Sequence, residues 1–408
     1  MSKKVNLGLI GMGNRGMGLL EGVFLEIDTV NITAICDIYK DRAEKGAKTV
    51  RKKLGTTPFI TTNYMEVINS DDVEAVIIMT SWESHTEIAI ASMKAGKPVG
   101  MEVGGAYTVD ECWELVNVYE ETNTPIMMLE NSCYGQKRLA VLNMVRQGLF
   151  GEIVHCKGGY QHDLRAEIAD GEKNRHYRLR NYINRNCDNY PTHEIGPISR
   201  ILNINYGNRM VSLNSVASKA AGLKEFIKTH RQDDKKLLNT EFKQGDVITT
   251  VITCAGGETI NITLNTSLPR FYSRGIEICG TKGMYSMEAD AICFDTPEGE
   301  EESFAAPTGN AEKYLEKYEH PIWQKYKKNG IVGYHHGIDG LVISAFIDAV
   351  INKTPMPIDV YDTATWMVIS VLSEKSILKG GAPVEFPDFT KGKWITRKYA
   401  ATGFYALN

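Results

Sequence analysis

From residue 5 to about 130, short runs of β-branched and aliphatic residues alternate with stretches whose apolar positions recur at helical spacing. The apolar runs predict strands at Val5–Ile10, Asn31–Cys36, Ala75–Thr80, Val99–Val103 and Ile126–Leu129. Helical patterns fall between them, near 15–27, 40–53, 84–95 and 108–121. Parallel neighbours need a helical crossover, so this rhythm predicts βαβ units and a doubly wound parallel sheet, an α/β Rossmann domain.

After about 150 the pattern changes. Gly151–Tyr160, Met210–Ala217, Asp246–Cys254, Thr259–Leu268, Ile276–Cys279 and Met284–Glu288 read as strands, with turn formers such as Gly256-Gly257 and Lys282-Gly283 between them. Runs of strands after a βαβ block predict a second, α+β domain with a largely antiparallel sheet. Helices are expected near 194–203, 336–352 and 361–377. The charged stretch 219–245 reads as an excursion from the sheet, and the polar stretch 296–330 as a long loop with some helix. The expected division is 1–130 for the dinucleotide domain and 131–408 for the substrate-binding domain.

Composition narrows the function classes. A chain of 408 residues exceeds what one core usually organises. A net charge of -4, with no long run of one sign, gives no footprint for nucleic acid or an anionic membrane. The start, Met1-Ser2-Lys3-Lys4, leads directly into Val5–Ile10, without the longer apolar stretch of a secretory signal. No apolar run approaches the roughly 20 residues of a bilayer span. The eight cysteines are scattered, with no C-x-x-C spacing, and are expected to be reduced thiols in the cytoplasm.

The sharpest motif is Gly11-Met12-Gly13-Asn14-Arg15-Gly16, after a strand and at the start of a helix. The first glycine permits the tight turn, the second lets backbone approach a pyrophosphate, and the third lets helix and strand pack closely. The helix start then offers N–H groups and a positive dipole end to the phosphates. Asp37 ends the next apolar run, where an acid binds ribose hydroxyls and repels a 2′-phosphate, so NAD is expected rather than NADP; Lys40 is the one nearby cation that speaks the other way. Two further loops leave strand ends on the ligand-binding edge: Thr80-Ser81-Trp82-Glu83-Ser84-His85 and Glu102-Val103-Gly104. They nominate Ser81, Trp82, His85 and Glu102 as cofactor contacts, against plain roles as a helix cap at Ser84 or a solvated carboxylate at Glu102.

Gly11, Gly13, Gly16, Asp37, the helix end Lys94-Ala95-Gly96-Lys97-Pro98 and Glu102 together resemble the Gfo/Idh/MocA oxidoreductases. That resemblance implies a C-terminal domain on an open mixed sheet. Many members carry Glu-Lys-Pro with a catalytic lysine where this chain has Glu102-Val103-Gly104. A narrower resemblance runs through Leu129-Glu130-Asn131, Tyr134, Gly158-Gly159-Tyr160-Gln161-His162-Asp163-Leu164-Arg165, Tyr190-Pro191-Thr192-His193, Tyr318-Glu319-His320-Pro321, His336-Gly337-x-Asp339 and Asp362-x-Ala364-Thr365-Trp366. These strings are similar to glycoside hydrolase family 109, NAD-dependent glycosidases first recognised as α-N-acetylgalactosaminidases. The resemblance implies Asn131 at the cofactor and Tyr134 and His336 at the substrate. Glu194 stands where many relatives have glycine.

Within these strings, Pro191 fixes its own backbone and pushes Tyr190 towards extended geometry. Thr192 is expected to cap the following helix and His193 to sit in its first turn. Strand alternation puts Tyr160 and His162 on one face. Tyr160, Tyr190 and His193 are the candidate catalytic residues, and His162 a candidate sugar contact. A tyrosine base would need a nearby cation to lower its pKa from about 10. Arg175, Arg178, Arg180 and Arg185, interleaved with asparagines, read either as a solvated loop or as a pocket for a polyhydroxyl or anionic sugar, with Arg180 as the candidate contact. His335, His336 and Asp339 lack chelating spacing, so no metal is expected.

An ordinary glycosidase needs a carboxylate pair that is not evident here, and would have no use for NAD. The expected function is therefore an NAD-dependent glycosidase working by transient oxidation at C3, elimination across C1–C2, water addition and re-reduction. The hexoside is left open between an N-acetylgalactosaminide and an anionic sugar. The alternative is an NAD-dependent sugar or polyol dehydrogenase, which would accumulate NADH; a non-catalytic NAD sensor would bind and not turn over. The partner expected is a small glycoside or sugar, and the open sheet is expected to support a homo-oligomer.

Overall fold

Strand β1 (Val5–Ile10) lies at the centre of the first sheet of the computed structural model, its side chains almost wholly buried. The structure describes residues 4–295, 308–333 and 335–407. Around β1 stand β2 (Val30–Cys36), β3 (Phe59–Thr61), β4 (Ala75–Ile78), β5 (Val99–Met101) and β6 (Ile126–Met128), in the order β3-β2-β1-β4-β5-β6. Every pairing is parallel, as the βαβ rhythm requires. Sheet order reverses between β1 and β4, the place where open α/β sheets bind ligands. Continuous apolar runs such as Ala-Val-Ile-Ile in β4 are buried throughout because helices cover both faces of such sheets.

Among the described residues the second sheet has eight strands, ordered β13-β12-β11-β7-β10-β9-β8-β14. They are β7 (Ile153–Gln161), β8 (Met210–Ala217), β9 (Val247–Cys254), β10 (Thr259–Asn265), β11 (Glu277–Gly280), β12 (Gly283–Ser286), β13 (Ala291–Phe294) and β14 (Val384–Glu385). Only β7 with β10 is parallel among these pairs, so the sheet is open, mixed and largely antiparallel. The alternation along β10, Thr-Ile-Asn-Ile-Thr-Leu-Asn, buries its Ile and Leu side chains on one face.

The chain forms two compact units: Met1–Gly135 with Pro321–Thr365 and Lys398–Asn408, and Gln136–His320 with Trp366–Arg397. The sequence predicts a boundary at 130/131; the unit that holds the Rossmann sheet also includes Pro321–Thr365 and Lys398–Asn408.

Several elements differ from their expected extents. The first helix spans Asn14–Gly22 and gives way to a 3-10 turn at Phe24–Glu26. Strands β4 and β5 end at Ile78 and Met101, which releases Thr80 and Glu102 into loops. The excursion 219–245 contains the helices Gly222–His230 and Lys235–Leu238. Of the polar stretch 296–330, residues 296–307 lie outside those described; the rest holds the helices Ala311–Lys317 and Pro321–Asn329. Strands β3, β13 and β14 were not expected, being only two to four residues long.

Candidate functional site

In the first unit the glycine-rich turn leaves β1 with Gly11 at φ +98, where a side chain would also meet the Met79 carbonyl 2.5 Å away. A Cβ on Gly16 would stand 2.1 Å from the Gly11 carbonyl oxygen, so the helix packs on the turn only with glycine there. Gly13 is different: its nearest neighbour would be the Arg42 guanidinium at 3.7 Å. The second glycine thus faces open space of the kind a pyrophosphate needs, and no side chain caps the helix Asn14–Gly22. These features fit a dinucleotide. Asn14 is exposed at the helix start.

Asp37 follows β2 and is buried. Its Oδ2 accepts from the Met12 N–H at 2.7 Å and its Oδ1 from the Tyr39 N–H at 2.8 Å, so the carboxylate also shapes the glycine-rich turn. The Arg42 guanidinium lies 5.0 Å from the Tyr39 ring centroid. Ser81 begins the helix Trp82–Lys94, and Ser84, read as a possible cap, instead donates to the Ser81 carbonyl and the Thr80 hydroxyl. Trp82 is buried over Gly104, where a Cβ would meet its ring at 2.6 Å. His85 is buried, bonds the Thr80 carbonyl at 3.2 Å and has its pKa lowered to about 4 by burial. It is neutral at physiological pH and brings no positive charge to a phosphate.

Glu102 meets Arg15 at the end of β5. Arg15 donates to Glu102 Oε1 from Nε at 3.1 Å and from Nη2 at 2.9 Å, and to Asp339 from Nη1 at 3.0 Å and Nη2 at 2.8 Å. Asn131 Nδ2 donates to Asp339 Oδ1 at 2.7 Å. Burial works against the Arg15 charge, but the two carboxylates hold its pKa well above the ordinary value. Burial would likewise raise Asp339, yet bonds from His335, Arg15 and Asn131 hold it well below the usual carboxylate range. Burial raises Glu102, against the pull of Arg15. Beside it, Val103 is buried, so no proton-transferring side chain stands at that position.

In the second unit, Tyr160 near the end of β7 meets the Tyr190 ring at 4.4 Å between centroids and the His193 ring at 5.8 Å. Tyr190 and His193 meet edge to face at 4.9 Å. The three residues nominated for catalysis therefore form one cluster. His193 lies in the first turn of the helix Thr192–Ile201, as expected, although the cap position is Pro191 and Thr192 is the first helical residue. Pro191 adopts φ −79 and ψ −13, already close to helical, which moves the start one residue earlier. His162 joins at 6.1 Å from the Tyr160 ring and stacks edge to face with Tyr272 at 5.3 Å.

Two guanidiniums flank Tyr160: Arg274 at 4.6 Å from its ring centroid and Arg178 at 5.9 Å, the latter also 5.0 Å from Tyr190. Burial raises the Tyr160 phenol, while both arginines pull it down. Burial and the Arg274 charge also lower His162, which favours its neutral form. Arg274 Nε donates to the Tyr272 hydroxyl at 2.7 Å, and Glu167 pairs with Arg178 Nε at 2.7 Å. Asp188, wholly buried just before Tyr190, is pushed up to about 7 by burial against the pull of the Tyr190 N–H.

Three substrate nominations change. Arg180 is exposed in the helix Arg178–Asn184, and the buried arginine of the cluster is Arg178, two residues and about 200° away around the helix. Tyr134, expected at the substrate, is fully buried, and its hydroxyl donates to the Tyr405 carbonyl at 3.0 Å. His336 is exposed at φ 58 in the first unit, next to the His335 that binds Asp339. Sequence reasoning missed Arg274 and Tyr272, more than a hundred positions from Tyr160 along the chain. Their only local signal is the interleaved Arg270-Phe271-Tyr272-Ser273-Arg274.

Among the described residues no group of three or more His, Cys, Asp or Glu side chains could hold a metal ion. No helix among them is long and apolar enough to cross a membrane.

Residues 5–129 match the family described as "Oxidoreductase family, NAD-binding Rossmann fold", and residues 134–396 match "Glycosyl hydrolase 109, C-terminal domain". An alpha-N-acetylgalactosaminidase of Tannerella forsythia is 39% identical, over 97% of this chain and 88% of its own. A glycosyl hydrolase family 109 protein of Parabacteroides distasonis is 38% identical, over 97% and 89%. Among solved structures, levoglucosan dehydrogenase in complex with NADH and levoglucosan has a TM-score of 0.67 at 20% identity, covering 94% of this chain and 100% of its own. The myo-inositol dehydrogenase of Lactobacillus casei, in complex with NAD(H) and myo-inositol, has a TM-score of 0.65 at 15% identity, covering 98% and 99%. These two share its fold. The chain is an enzyme with an NAD-binding Rossmann unit and belongs to glycosyl hydrolase family 109.

Proposed function

We propose that this enzyme hydrolyses a hexoside by a redox-neutral cycle, and that Tyr160, Tyr190 and His193 handle its protons. The observation that carries the reading is their convergence, with rings 4.4, 4.9 and 5.8 Å apart, in a chain whose other unit binds NAD. Bound in the first unit, NAD would supply a hydride acceptor for C3 of the sugar and a hydride donor to restore it. A carbonyl at C3 acidifies the C2 proton, so a side-chain base of ordinary strength can remove it as the C1 substituent leaves. Water then adds at C1 and a proton returns to C2, which leaves the free sugar and the alcohol.

His193, fixed in a helical first turn, suits reversible proton transfer near neutral pH. Tyr160 keeps its proton, because burial raises its phenol against the pull of Arg178 and Arg274, and so serves as a proton donor. Tyr190 orders both rings, and His162, kept neutral, offers the sugar a hydrogen bond. Arg15, Glu102 and Asn131 belong to the cofactor unit, where Gly13 would leave room for the pyrophosphate and Asp37 would hold the ribose. The buried Val103, in place of a proton-transferring lysine, favours this reading over net dehydrogenation.

An α-N-acetylgalactosaminide is the first substrate to try, given the name of the Tannerella forsythia relative. The two arginines keep anionic hexosides in the panel. We place the enzyme in the cytoplasm on its eight unbridged cysteines. We propose a homo-oligomer on the outer face of the second sheet, where Val216 and Val251 are exposed on one side. The test is a panel of activated α- and β-glycosides with and without NAD. Cleavage that requires NAD and leaves no net NADH supports the reading, and cleavage indifferent to NAD refutes it.

A further inference from the structure

Asp339 is wholly buried, yet its carboxylate is saturated with hydrogen bonds. Oδ1 accepts from Arg15 Nη2 at 2.8 Å and Asn131 Nδ2 at 2.7 Å. Oδ2 accepts from Arg15 Nη1 at 3.0 Å and pairs with His335 Nδ1 at 2.7 Å. Through Arg15 it also reaches Glu102. One carboxylate from far along the chain therefore ties together the segments that follow β1, β5 and β6, all at the carboxyl edge of the first sheet.

The turn that carries Asp339 is fixed independently. A Cβ on Gly337, at φ 92, would stand 2.4 Å from Ile331 Cγ2, and one on Gly340 2.0 Å from the Val332 carbonyl oxygen. The Tyr326 hydroxyl donates to the Gly337 carbonyl at 3.0 Å and accepts from the Val332 N–H, also at 3.0 Å. His335 and His336 hold φ of 51 and 58, in the left-handed region that non-glycine residues adopt uncommonly.

We propose that Asp339 is a positioning residue for NAD: it clamps Arg15 of the glycine-rich turn and Asn131, so the Pro321–Thr365 segment is part of the cofactor-binding apparatus. The physical reason lies in the guanidinium. Arg15 lies in the first turn of the helix Asn14–Gly22, whose N–H groups would receive the pyrophosphate, and a guanidinium released from its carboxylates would leave that turn free to take other shapes. Held bidentately by Asp339 and again by Glu102, its position is set, and the backbone turn keeps one shape. A cycle that returns its hydride every turnover has no use for cofactor exchange, and a rigid turn slows it.

The test reads NAD binding directly, by titration calorimetry and by the NAD content of protein after desalting. Asp339→Asn keeps the shape and removes the charge; its Kd for NAD rises roughly tenfold to a hundredfold and it loses bound NAD on the column. A thermodynamic cycle with Arg15→Lys separates positioning from general stability. If Asp339 acts through Arg15, the double variant binds NAD about as poorly as the worse single variant; additive losses overturn the proposal, as does an Asp339→Asn protein that binds NAD like the parent. Should that protein fail to fold, the same cycle with Asp339→Glu, which keeps the charge and displaces the carboxylate, decides it: coupling with Arg15 supports the clamp and additivity overturns it.

Discussion

Gly158 of β7 lies so close to Glu194 of the helix Thr192–Ile201 that a Cβ at position 158 would stand 2.7 Å from the Glu194 Cβ. This contact brings the helix down onto the strand and sets His193 beside Tyr160. Gly158→Ala must push the helix outward, because backbone-borne atoms on both sides cannot rotate away. The expected outcome is a fall in kcat of about tenfold or more, since small misplacements of proton-handling groups cost about that much. NAD affinity, measured by titration, stays at the parent value.

Two glycines of the dinucleotide turn, Gly13 and Gly16, should behave oppositely. Gly13→Ala adds a methyl group where only the Arg42 tip comes near, so the apo protein should melt as the parent does while NAD binding is lost. Gly16→Ala collides with the Gly11 carbonyl, and the apo protein itself should lose about 1–3 kcal/mol of stability. Melting curves with and without NAD distinguish the two cases.

Asp188 gives a stability prediction with a definite sign. Its folded pKa of about 7 lies above the ordinary 3.8, so the folded chain holds that proton more tightly than the unfolded chain. The contribution is fully present below the unfolded value and is lost as pH rises towards 7. Asp188→Asn carries no such titration. It should therefore gain on the parent between pH 5 and pH 8, by about 2–4 kcal/mol, in parallel denaturant titrations.

Arg274 stacks on Tyr160 and opposes the burial that raises its phenol pKa. Arg274→Met should move whichever limb of the pH–kcat profile depends on Tyr160 to higher pH, and Tyr160→Phe should abolish that limb. A limb that stays in place in both variants would remove Tyr160 from the proton chemistry.

The parts of this protein legible in its sequence are those with local causes. Buried parallel strands announce themselves as β-branched runs, and Gly11-x-Gly13-x-x-Gly16 carries its steric reasons within six residues. Tyr190-Pro191-Thr192-His193 likewise encodes a helix start, although proline's own near-helical geometry moved the boundary by one. What stayed hidden depends on tertiary neighbours. Arg274 reaches Tyr160 because the last residues of β7, Gly159 and Gln161, pair with the Ser273–Arg274 backbone, and no periodicity marks that bridge. Asp339 gains its meaning from Arg15, more than three hundred positions earlier. Arg180 and Arg178 could not be told apart before the helix phase was known, and Tyr134 is decided by a carbonyl at Tyr405.

The central claim is that glycoside cleavage passes through exchange of the C2 proton while the cofactor ends each cycle as it began. Hydrolysis of a substrate in heavy water, with the product sugar read by NMR and NADH followed by its absorbance, measures both at once. The account predicts deuterium at C2 of the released sugar with no lasting rise in NADH. Release of sugar bearing only hydrogen at C2, or NADH accumulating in step with an oxidised sugar, would contradict it.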